Sequence, residues 1–210
     1  MIKSIQLMKD VKYNILITSA GKRVALTRYF KESLQRFFPA AKVFTTDMNP
    51  ELAPAGYVSD ACFKVPRVTD PLYLNLLLKI CEDNHIGLVI PTIDTELLIL
   101  SSARNLFKEK GIEVIVGDLP FISMCRDKRN TGDFFSKHNV RVPKEIDKHN
   151  PTFPIFAKPY DGSLSTNLHY IKSAEDLTSE ILTDPKLIFM EYIDKSVYKE
   201  YTVDMYYGFD

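Results

Sequence analysis

The sequence has no excess of charge of either sign. Lys and Arg together number 27, as do Asp and Glu, so the formal net charge at pH 7 is zero. This balance excludes the overall positive field that attracts nucleic acids or anionic lipids to a protein. Neither nucleic acid nor membrane is therefore expected as a partner, and any anion must be held by local groups.

Cysteine is scarce. The three cysteines, Cys62, Cys81 and Cys125, are scattered, and the sequence has neither a CxxC motif nor a Cys/His spacing typical of a metal site. This usage is typical of a reduced chain with buried thiols, and a cytoplasmic location is expected.

Long hydrophobic runs are also missing. The longest early apolar run, Ile15–Ile17, is too short for the core of a signal peptide or for a transmembrane helix. The 210 residues are 45% hydrophobic and 26% charged, as in an ordinary globular protein. This length suits one large domain, or one domain and part of another.

The first part of the chain alternates short β-rich runs with amphipathic helical stretches. This alternation is typical of a parallel α/β sheet. The predicted strands are 14–18, 42–46, 62–65, 88–90 and 113–116, and the predicted helices are 23–38, 71–84 and 95–110.

The pattern changes near residue 119, where we place a domain boundary. A polar, proline-containing connector at 144–154 separates two short helices from a region of strands, which indicates an α+β arrangement. The predicted helices are 121–125, 128–138 and 174–182, and the predicted strands are 155–158, 168–171, 187–191 and 201–207.

The loop after the first strand, residues 19–23, lacks the glycines of two known phosphate-binding loops. A P-loop needs glycine at the position of Leu16 and Ser or Thr at the position of Arg23. A dinucleotide-binding loop needs three glycines, and only Gly21 is present. The loop is either a tight turn with a basic helix start or a contact for a substrate anion.

Three acids follow predicted strands, where α/β sheets place ligands. Asp47 either binds a ribose or, with Asn49 and Pro50, belongs to a turn. Asp94 and Glu96 either bind a ligand or stabilise the start of a helix.

Lys158 ends a predicted strand and is followed by Pro159 and a Gly/Ser-containing loop, 162–167. A lysine in this position resembles an ammonium placed over phosphates, with loop amides and hydroxyls completing the cradle. An ordinary hairpin is the alternative. Two further features favour the phosphate interpretation. A basic segment, 126–128, starts a helix, and acidic residues lie within the predicted strand regions 187–193 and 199–204.

The order of these motifs resembles the ATP-grasp superfamily. Asp-Lys at 127–128, Lys-Pro-x-x-Gly at 158–162, Glu-Tyr-Ile at 191–193 and Lys-Glu-Tyr-Thr-Val-Asp at 199–204 follow one another as in that family. The sequence is most similar to the large subunit of carbamoyl-phosphate synthase. Several segments resemble the pre-ATP-grasp domain of that subunit, namely 47–50, 53–55, 60, 65–66 and 91–97. The segment 140–143 resembles the entrance to its lid.

The resemblance implies the fold and its division. A Rossmann-like, parallel-sheet pre-ATP-grasp α/β domain is expected over residues 1–118, followed by a helical linker over 119–143. An α+β ATP-grasp lid is expected over 144–186. The start of the second ATP-grasp subdomain, a partial nucleotide-binding sheet, is expected over 187–210.

The resemblance also implies ATP as the ligand and a role for nine residues. Phosphates suit fixed cations, adenine suits backbone donors and acceptors beside an apolar slot, and ribose suits a carboxylate. The implied contacts are Lys128 and Lys158 at the phosphates, Gly162, Ser163 and Ser165 in the loop over them, Glu191, Tyr192 and Ile193 at the adenine, and Glu200 at the ribose.

The sequence departs from the family at the phosphate loop. Two of the three usual glycines are replaced by Leu164 and Asn167. Asn tolerates a left-handed backbone, whereas Leu does so only at a cost, so a stiffer or differently shaped loop is expected. The hinge also lacks the usual glycine between Glu191 and Glu200.

The implied activity is an ATP-dependent carboxylate–amine or carboxylate–ammonia ligase that acts through an acyl phosphate. Mg²⁺ is expected in the parent enzyme, but no late Glu and Asn ligands follow Glu200. The isolated chain is therefore expected to be inactive, and a second copy or another chain is expected to cover its sheet. The alternatives are a non-catalytic nucleotide-binding module completed by a partner chain and, less favoured, a Rossmann-type oxidoreductase.

Overall fold

The computed structural model describes residues 13–163, 165–203 and 205. The chain divides into two compact units, Met1–Ser123 and Met124–Asp210. No helix in the described part of the chain is long and apolar enough to cross a membrane.

The first unit is built on a five-stranded parallel sheet, as predicted. The strand order is β3-β2-β1-β4-β5, so the chain crosses over between β1 and β4. In sheets of this order, ligands bind beside the carboxyl ends of the strands at that crossover. The strands are β1 (Asn14–Thr18), β2 (Val43–Asp47), β3 (Cys62–Lys64), β4 (Ile86–Pro91) and β5 (Glu113–Val114).

Both faces of this sheet are buried, because consecutive residues of a strand point to opposite faces. On one face Ile15 and Ile17 pack against Leu34 and other residues of the first helix. On the other face Leu16 belongs to a larger cluster that includes Leu77. The helices of this unit are α1 (Val24–Phe37), α2 (Tyr73–Asp83), α3 (Leu97–Ser102) and α4 (Arg104–Glu109), and α5 (Leu119–Arg126) begins in it.

The predicted helix 95–110 is interrupted. It consists of a 3-10 turn, Asp94–Glu96, followed by α3 and α4, which meet at Ala103. The hydroxyl of Ser102 donates a hydrogen bond of 2.8 Å to the carbonyl of Ile99, and such side-chain bonds compete with the helical backbone.

The second unit contains a three-stranded antiparallel sheet of order β7-β6-β8, in agreement with the predicted α+β arrangement. One face is covered, since Ile155, Ala157 and Phe189 pack with Ile181 in a hydrophobic cluster. The elements are α6 (Lys128–Lys137), β6 (Ile155–Pro159), β7 (His169–Ile171), α7 (Ser179–Thr183) and β8 (Leu187–Glu191).

Two predicted elements of this unit differ from the structure. The helix at 174–182 is a 3-10 turn, Ala174–Asp176, followed by α7, because Ser173 and Thr178 cap the two pieces separately. The strand predicted at 201–207 is absent from the described residues 201–203, where Tyr201 and Val203 are 78% and 73% exposed. Alternating polarity alone does not make a strand, since a strand needs a partner for its hydrogen bonds.

Candidate functional site

A cavity of about 330 Å³ lies at the face of the antiparallel sheet opposite the hydrophobic cluster. Its walls combine apolar side chains, two lysines and a hydroxyl-rich loop, which suits a ligand that is partly apolar and partly anionic. The lining residues are Lys128, Phe156, Lys158, Pro159, Gly162, Ser163, Ser165, Thr166 and Leu168.

Lys158 reaches this cavity because of the alternation along β6. Ile155 and Ala157 are buried in the hydrophobic cluster on the covered side, so Phe156 and Lys158 project from the other side. Burial lowers the pKa of the Lys158 ammonium, and the positive charge of Lys128 lowers it further. An anion bound between the two lysines would offset both effects.

Lys128 is placed by the start of α6. The Asp127 carboxylate caps this helix by accepting the Arg129 amide at 2.9 Å. The amide of Lys128 donates to the carbonyl of Tyr160 at 2.9 Å, and its Nζ donates to the carbonyl of Gly162 at 2.7 Å. The helix start is therefore tied to the end of β6 and to the loop that follows it.

Arg129 strengthens this connection, and sequence reasoning missed it. Its guanidinium lies 3.7 Å from the ring centroid of Tyr160 and makes an ion pair of 2.6 Å with Asp127. The hydrogen bond from Arg129 lowers the pKa of Asp127. The signal in the sequence was the Asp before a helix start, which is typical of an N-cap.

The loop over the cavity has an unusual backbone for its residue types. Ser165 and Asn167 both have a φ of 54°, in the left-handed region. Asn167 therefore takes the conformation that its residue type tolerates, whereas Leu164 lies outside the described residues. Gly162 is closely packed, since a Cβ there would lie 3.0 Å from the Cβ of Pro159.

A second cavity, of about 220 Å³, lies on the same face of the sheet. Ile188 and Met190 of β8 stand opposite Lys158 and Phe156 of β6, so both cavities share one sheet surface. Lys128 lines both of them. The remaining lining residues of the second cavity are Arg129, Gly132, Asp133, Ser136, Val142, Pro143, Lys144 and Glu145.

The structure brings together five of the nine residues that the sequence assigned to ATP, namely Lys128, Lys158, Gly162, Ser163 and Ser165. The other four are not among the residues that line these two cavities in the described part of the chain. They are Glu191, Tyr192, Ile193 and Glu200.

Glu191 and Tyr192 have other contacts at the end of β8. The Glu191 carboxylate accepts the amide of Lys144 at 2.9 Å, and the Glu191 amide donates to the Lys144 carbonyl at 2.8 Å. The ring of Tyr192 lies 4.3 Å from that of Tyr170. Ile193, which follows, is exposed.

Glu200 pairs with Lys195 at 2.6 Å on the surface. The hydrogen bond from Lys195 lowers the pKa of Glu200. The adenine and ribose assignments therefore stay predictions.

The acids of the first unit serve the loops at the strand ends. Asp47 accepts the amides of Gly21 and Asn49, so it has the contacts of a turn residue. The Gly21 amide is thereby engaged with a carboxylate, which leaves it unsuited to hold an anion.

Glu96 is fully buried beside the end of β1. It accepts hydrogen bonds from the hydroxyls of Thr18, Ser19 and Tyr73, at 2.7, 2.5 and 2.6 Å. Burial, and then the negative charge of Glu96, raise the pKa of the Tyr73 hydroxyl. Glu96 thus has three internal donors, and Asp94 starts the 3-10 turn that carries it.

No group of three or more potential metal ligands lies together among the residues that the structure describes. The lysines, hydroxyls and loop amides around the first cavity are donors, and they suit an anion.

Comparison with known proteins gives one family model and several solved structures. Residues 15–115 match the family described as PylC-like, N-terminal domain. No curated protein sequence matches the chain.

Biotin carboxylase from Campylobacter jejuni, solved as a complex with β-γ-ATP, has 17% identity and a TM-score of 0.63 over 87% of this chain. The biotin carboxylase domain of 2-oxoglutarate carboxylase from Hydrogenobacter thermophilus, solved with MgADP, ADP and bicarbonate, has 16% identity and a TM-score of 0.59 over 86%. D-alanine–D-alanine ligase from Bacillus anthracis has 13% identity and a TM-score of 0.53 over 86%.

The chain has the fold of these three structures, a five-stranded parallel sheet followed by a small antiparallel sheet. The three neighbours are members of the ATP-grasp superfamily, and at these identities the likeness concerns the fold alone. The chain spans about half the length of these structures, covering 46%, 44% and 58% of them respectively. A specific likeness to carbamoyl-phosphate synthase within the ATP-grasp superfamily stays a prediction.

Proposed function

We propose that this chain binds ATP at the face of its antiparallel sheet opposite the hydrophobic cluster of Ile155 and Ala157. The observation that carries the proposal is the meeting of Lys128, Lys158 and the loop residues Gly162, Ser163 and Ser165 around one cavity. Two ammonium groups and a loop rich in donors match the charge and the acceptor oxygens of a triphosphate. The ATP-grasp fold and the nucleotide complexes of its neighbours support this proposal.

The same face offers a place for the rest of the nucleotide. Ile188, which is buried, and the partly buried Met190 continue from Lys158 along β8 and form the apolar part of the second cavity. The adenine would lie on this surface, with its polar edge toward the backbone at Glu191–Ile193, and the ribose near Glu200. The purine would exchange water for apolar contacts, while its edge keeps its hydrogen bonds.

We propose further that the parent activity is a carboxylate–amine or carboxylate–ammonia ligase. The γ-phosphoryl group of ATP would pass to a carboxylate oxygen and give an acyl phosphate and ADP. A nitrogen nucleophile would then attack the acyl carbon and release inorganic phosphate. A bound Mg²⁺ would offset charge on the phosphate oxygens. Reliance on ATP suits a cytoplasmic location.

The chain's own residues would contribute position and charge to this reaction. Lys158 and Lys128 would hold the phosphate oxygens and stabilise the charge that develops on them. The loop would limit access of water to the transferred group. No side chain is required to form a covalent intermediate.

The binding proposal is tested by titrating MgATP calorimetrically into the wild-type chain and into Lys158→Ala. Loss of one charge-assisted contact should weaken binding by about 1.5–3 kcal/mol. Lys172→Ala is a matched control, since Lys172 is exposed and lies outside the cavity linings. Equal affinity of Lys158→Ala and the wild type would refute the assignment of Lys158.

The ligase proposal is tested by trapping the acyl phosphate. Hydroxylamine converts acyl phosphates to hydroxamates, so the complete parent enzyme, incubated with MgATP and a panel of carboxylates, should give a hydroxamate for the true substrate. Binding of ATP without hydroxamate across the panel would argue for a nucleotide-binding module without this chemistry.

A further inference from the structure

The loop between β6 and β7 is held at both of its ends by one short turn. At its start, the Asp161 carboxylate pairs with Lys186 Nζ at 3.0 Å. Toward its end, the Asn167 side-chain amide donates to the Asp184 carboxylate at 3.2 Å. The two partners are separated only by Pro185, in the turn that leads into β8.

The turn Asp184–Lys186 has contacts that hold its own backbone in place. One oxygen of the Asp184 carboxylate accepts the Lys186 amide at 2.8 Å, while the other accepts Asn167. The Asp184 amide donates to the carbonyl of Glu180 in α7. The Lys186 carbonyl accepts the amide of Tyr160 at 2.9 Å, so the turn also contacts the end of β6. Pro185 restricts the backbone between the two anchoring residues.

Asn167 contributes a contact that glycine could not make. Its backbone has a φ of 54°, a conformation that glycine adopts more easily. Its side chain, however, bonds to Asp184 and also lies 2.8 Å from Nε2 of His169. Asn167 therefore adopts the left-handed backbone conformation and also attaches the loop to Asp184 through its side chain.

The contact between Lys128 and the loop is of a different kind. Lys128 Nζ donates to the Gly162 carbonyl at 2.7 Å, and the same ammonium is one of the two proposed phosphate ligands. A phosphate would compete with the carbonyl for this group. The anchors at Asp161 and Asn167 involve no proposed ligand of the nucleotide, so they would persist when ATP binds.

We propose that the turn Asp184–Lys186 is a positioning element that orders the loop over the cavity by fixing both of its ends. Ser163, Ser165 and Thr166 lie between the anchors and line the cavity. A loop already ordered in the free protein loses less conformational entropy on binding. The benefit to nucleotide binding rests on the proposed function, whereas the anchoring itself does not.

The anchoring is tested by amide hydrogen exchange on the ligand-free protein, in the peptide that covers residues 160–170. Lys186→Met and Asp184→Asn should each accelerate exchange there, by roughly two- to fivefold per lost contact. The charge exchange Asp161→Lys with Lys186→Asp should restore part of the protection. Lys195→Met is the matched control, because it removes a surface ion pair with Glu200 and should leave this peptide unchanged.

Asn167→Asp and Asn167→Gly together separate the anchor from the backbone conformation. Aspartate tolerates the positive φ as asparagine does but cannot donate to Asp184, whereas glycine loses the side chain and also adds backbone freedom. Because the side chain is an anchor, we expect faster exchange in both variants, with exchange of the first unit unchanged. Equal or slower exchange in Asn167→Asp and in Lys186→Met would overturn the proposal.

The effect on nucleotide is measured separately, by titrating MgATP into the same variants. We expect Lys186→Met and Asn167→Gly to weaken binding by roughly two- to fivefold, in the order of their effects on loop exchange. Faster exchange with unchanged affinity would refute the positioning role while leaving the ATP site intact. If the wild type binds no nucleotide, the proposed function fails, and the exchange result still decides whether the turn holds the loop.

Discussion

Lys158 shows at the scale of a single residue how a proposed binding group can oppose stability. Its ammonium is half-buried and faces the like charge of Lys128, and both effects lower its pKa. A cation in such a place is unfavourable in the free protein and becomes favourable when an anion arrives. The cost in stability and the proposed affinity for phosphate would have the same origin.

We therefore expect Lys158→Met to stabilise the free protein by roughly 0.5–1 kcal/mol at neutral pH while it weakens MgATP binding. The folded-state pKa lies below that of the unfolded chain, so the unfolded state binds more protons between the two values. Wild-type stability should then rise as pH rises through the folded-state pKa of Lys158 toward the unfolded value. The variant lacks this rise, so its advantage should shrink at alkaline pH.

Urea unfolding at neutral and alkaline pH measures this difference. Lys172→Met is the control for loss of an exposed lysine and should change stability little. A Lys158→Met protein that is less stable than the wild type at neutral pH would contradict this account of Lys158.

At the scale of an element, α6 carries a glycine in its interior. Gly132 lines the second cavity, and a Cβ at this position would have no heavy atom within 4 Å among the described residues. Interior glycine weakens a helix, because it has more conformational freedom to lose on folding. A small residue here keeps space free beside Met190.

Gly132→Ala should raise the free energy of unfolding by about 0.5–1 kcal/mol, because alanine has the higher helix propensity and its Cβ displaces no neighbouring atom. Chemical denaturation checks the value. Gly162→Ala is the contrasting variant, because its Cβ would lie 3.0 Å from Pro159, and we expect it to lower stability. A loss of stability in Gly132→Ala would show that this helix position is not open.

At the scale of the whole molecule, the balance of charge governs behaviour in solution. The formal net charge is zero at pH 7 and the isoelectric point is about 6.9. Molecules without net charge lack the long-range repulsion that keeps them apart. Exposed apolar side chains such as Tyr201 and Val203 add attraction at short range.

Solubility should therefore be lowest near neutral pH and should increase on either side of it. Light scattering across a pH series at fixed salt measures the effect as a change in the interaction between molecules. A solubility minimum well away from the isoelectric point would show that local patches, and not net charge, control association.

Much of the site could be predicted because its parts are close in sequence. Lys158, Gly162, Ser163 and Ser165 follow one another along a strand and its loop, and Lys128 is at a helix start that the Asp-Lys pair marked. The adenine and ribose positions came from resemblance alone, and the structure places Glu191 and Glu200 outside both cavity linings. A local sequence pattern can predict residues that lie together within one strand or loop, whereas contacts between segments distant in sequence depend on tertiary packing.

The sequence by itself determined the parallel sheet, the later α+β arrangement and the position of the loop after Lys158, because periodicity and turn residues act over a few positions. Only the tertiary structure decided the role of Glu96, whose three donors come from distant segments, and the support of the loop by Asp184 and Lys186. The tertiary structure also decided that residues 201–203 form no strand. Hydrogen-bond partners far apart in the chain meet only when the fold brings them together, and no local pattern encodes that meeting.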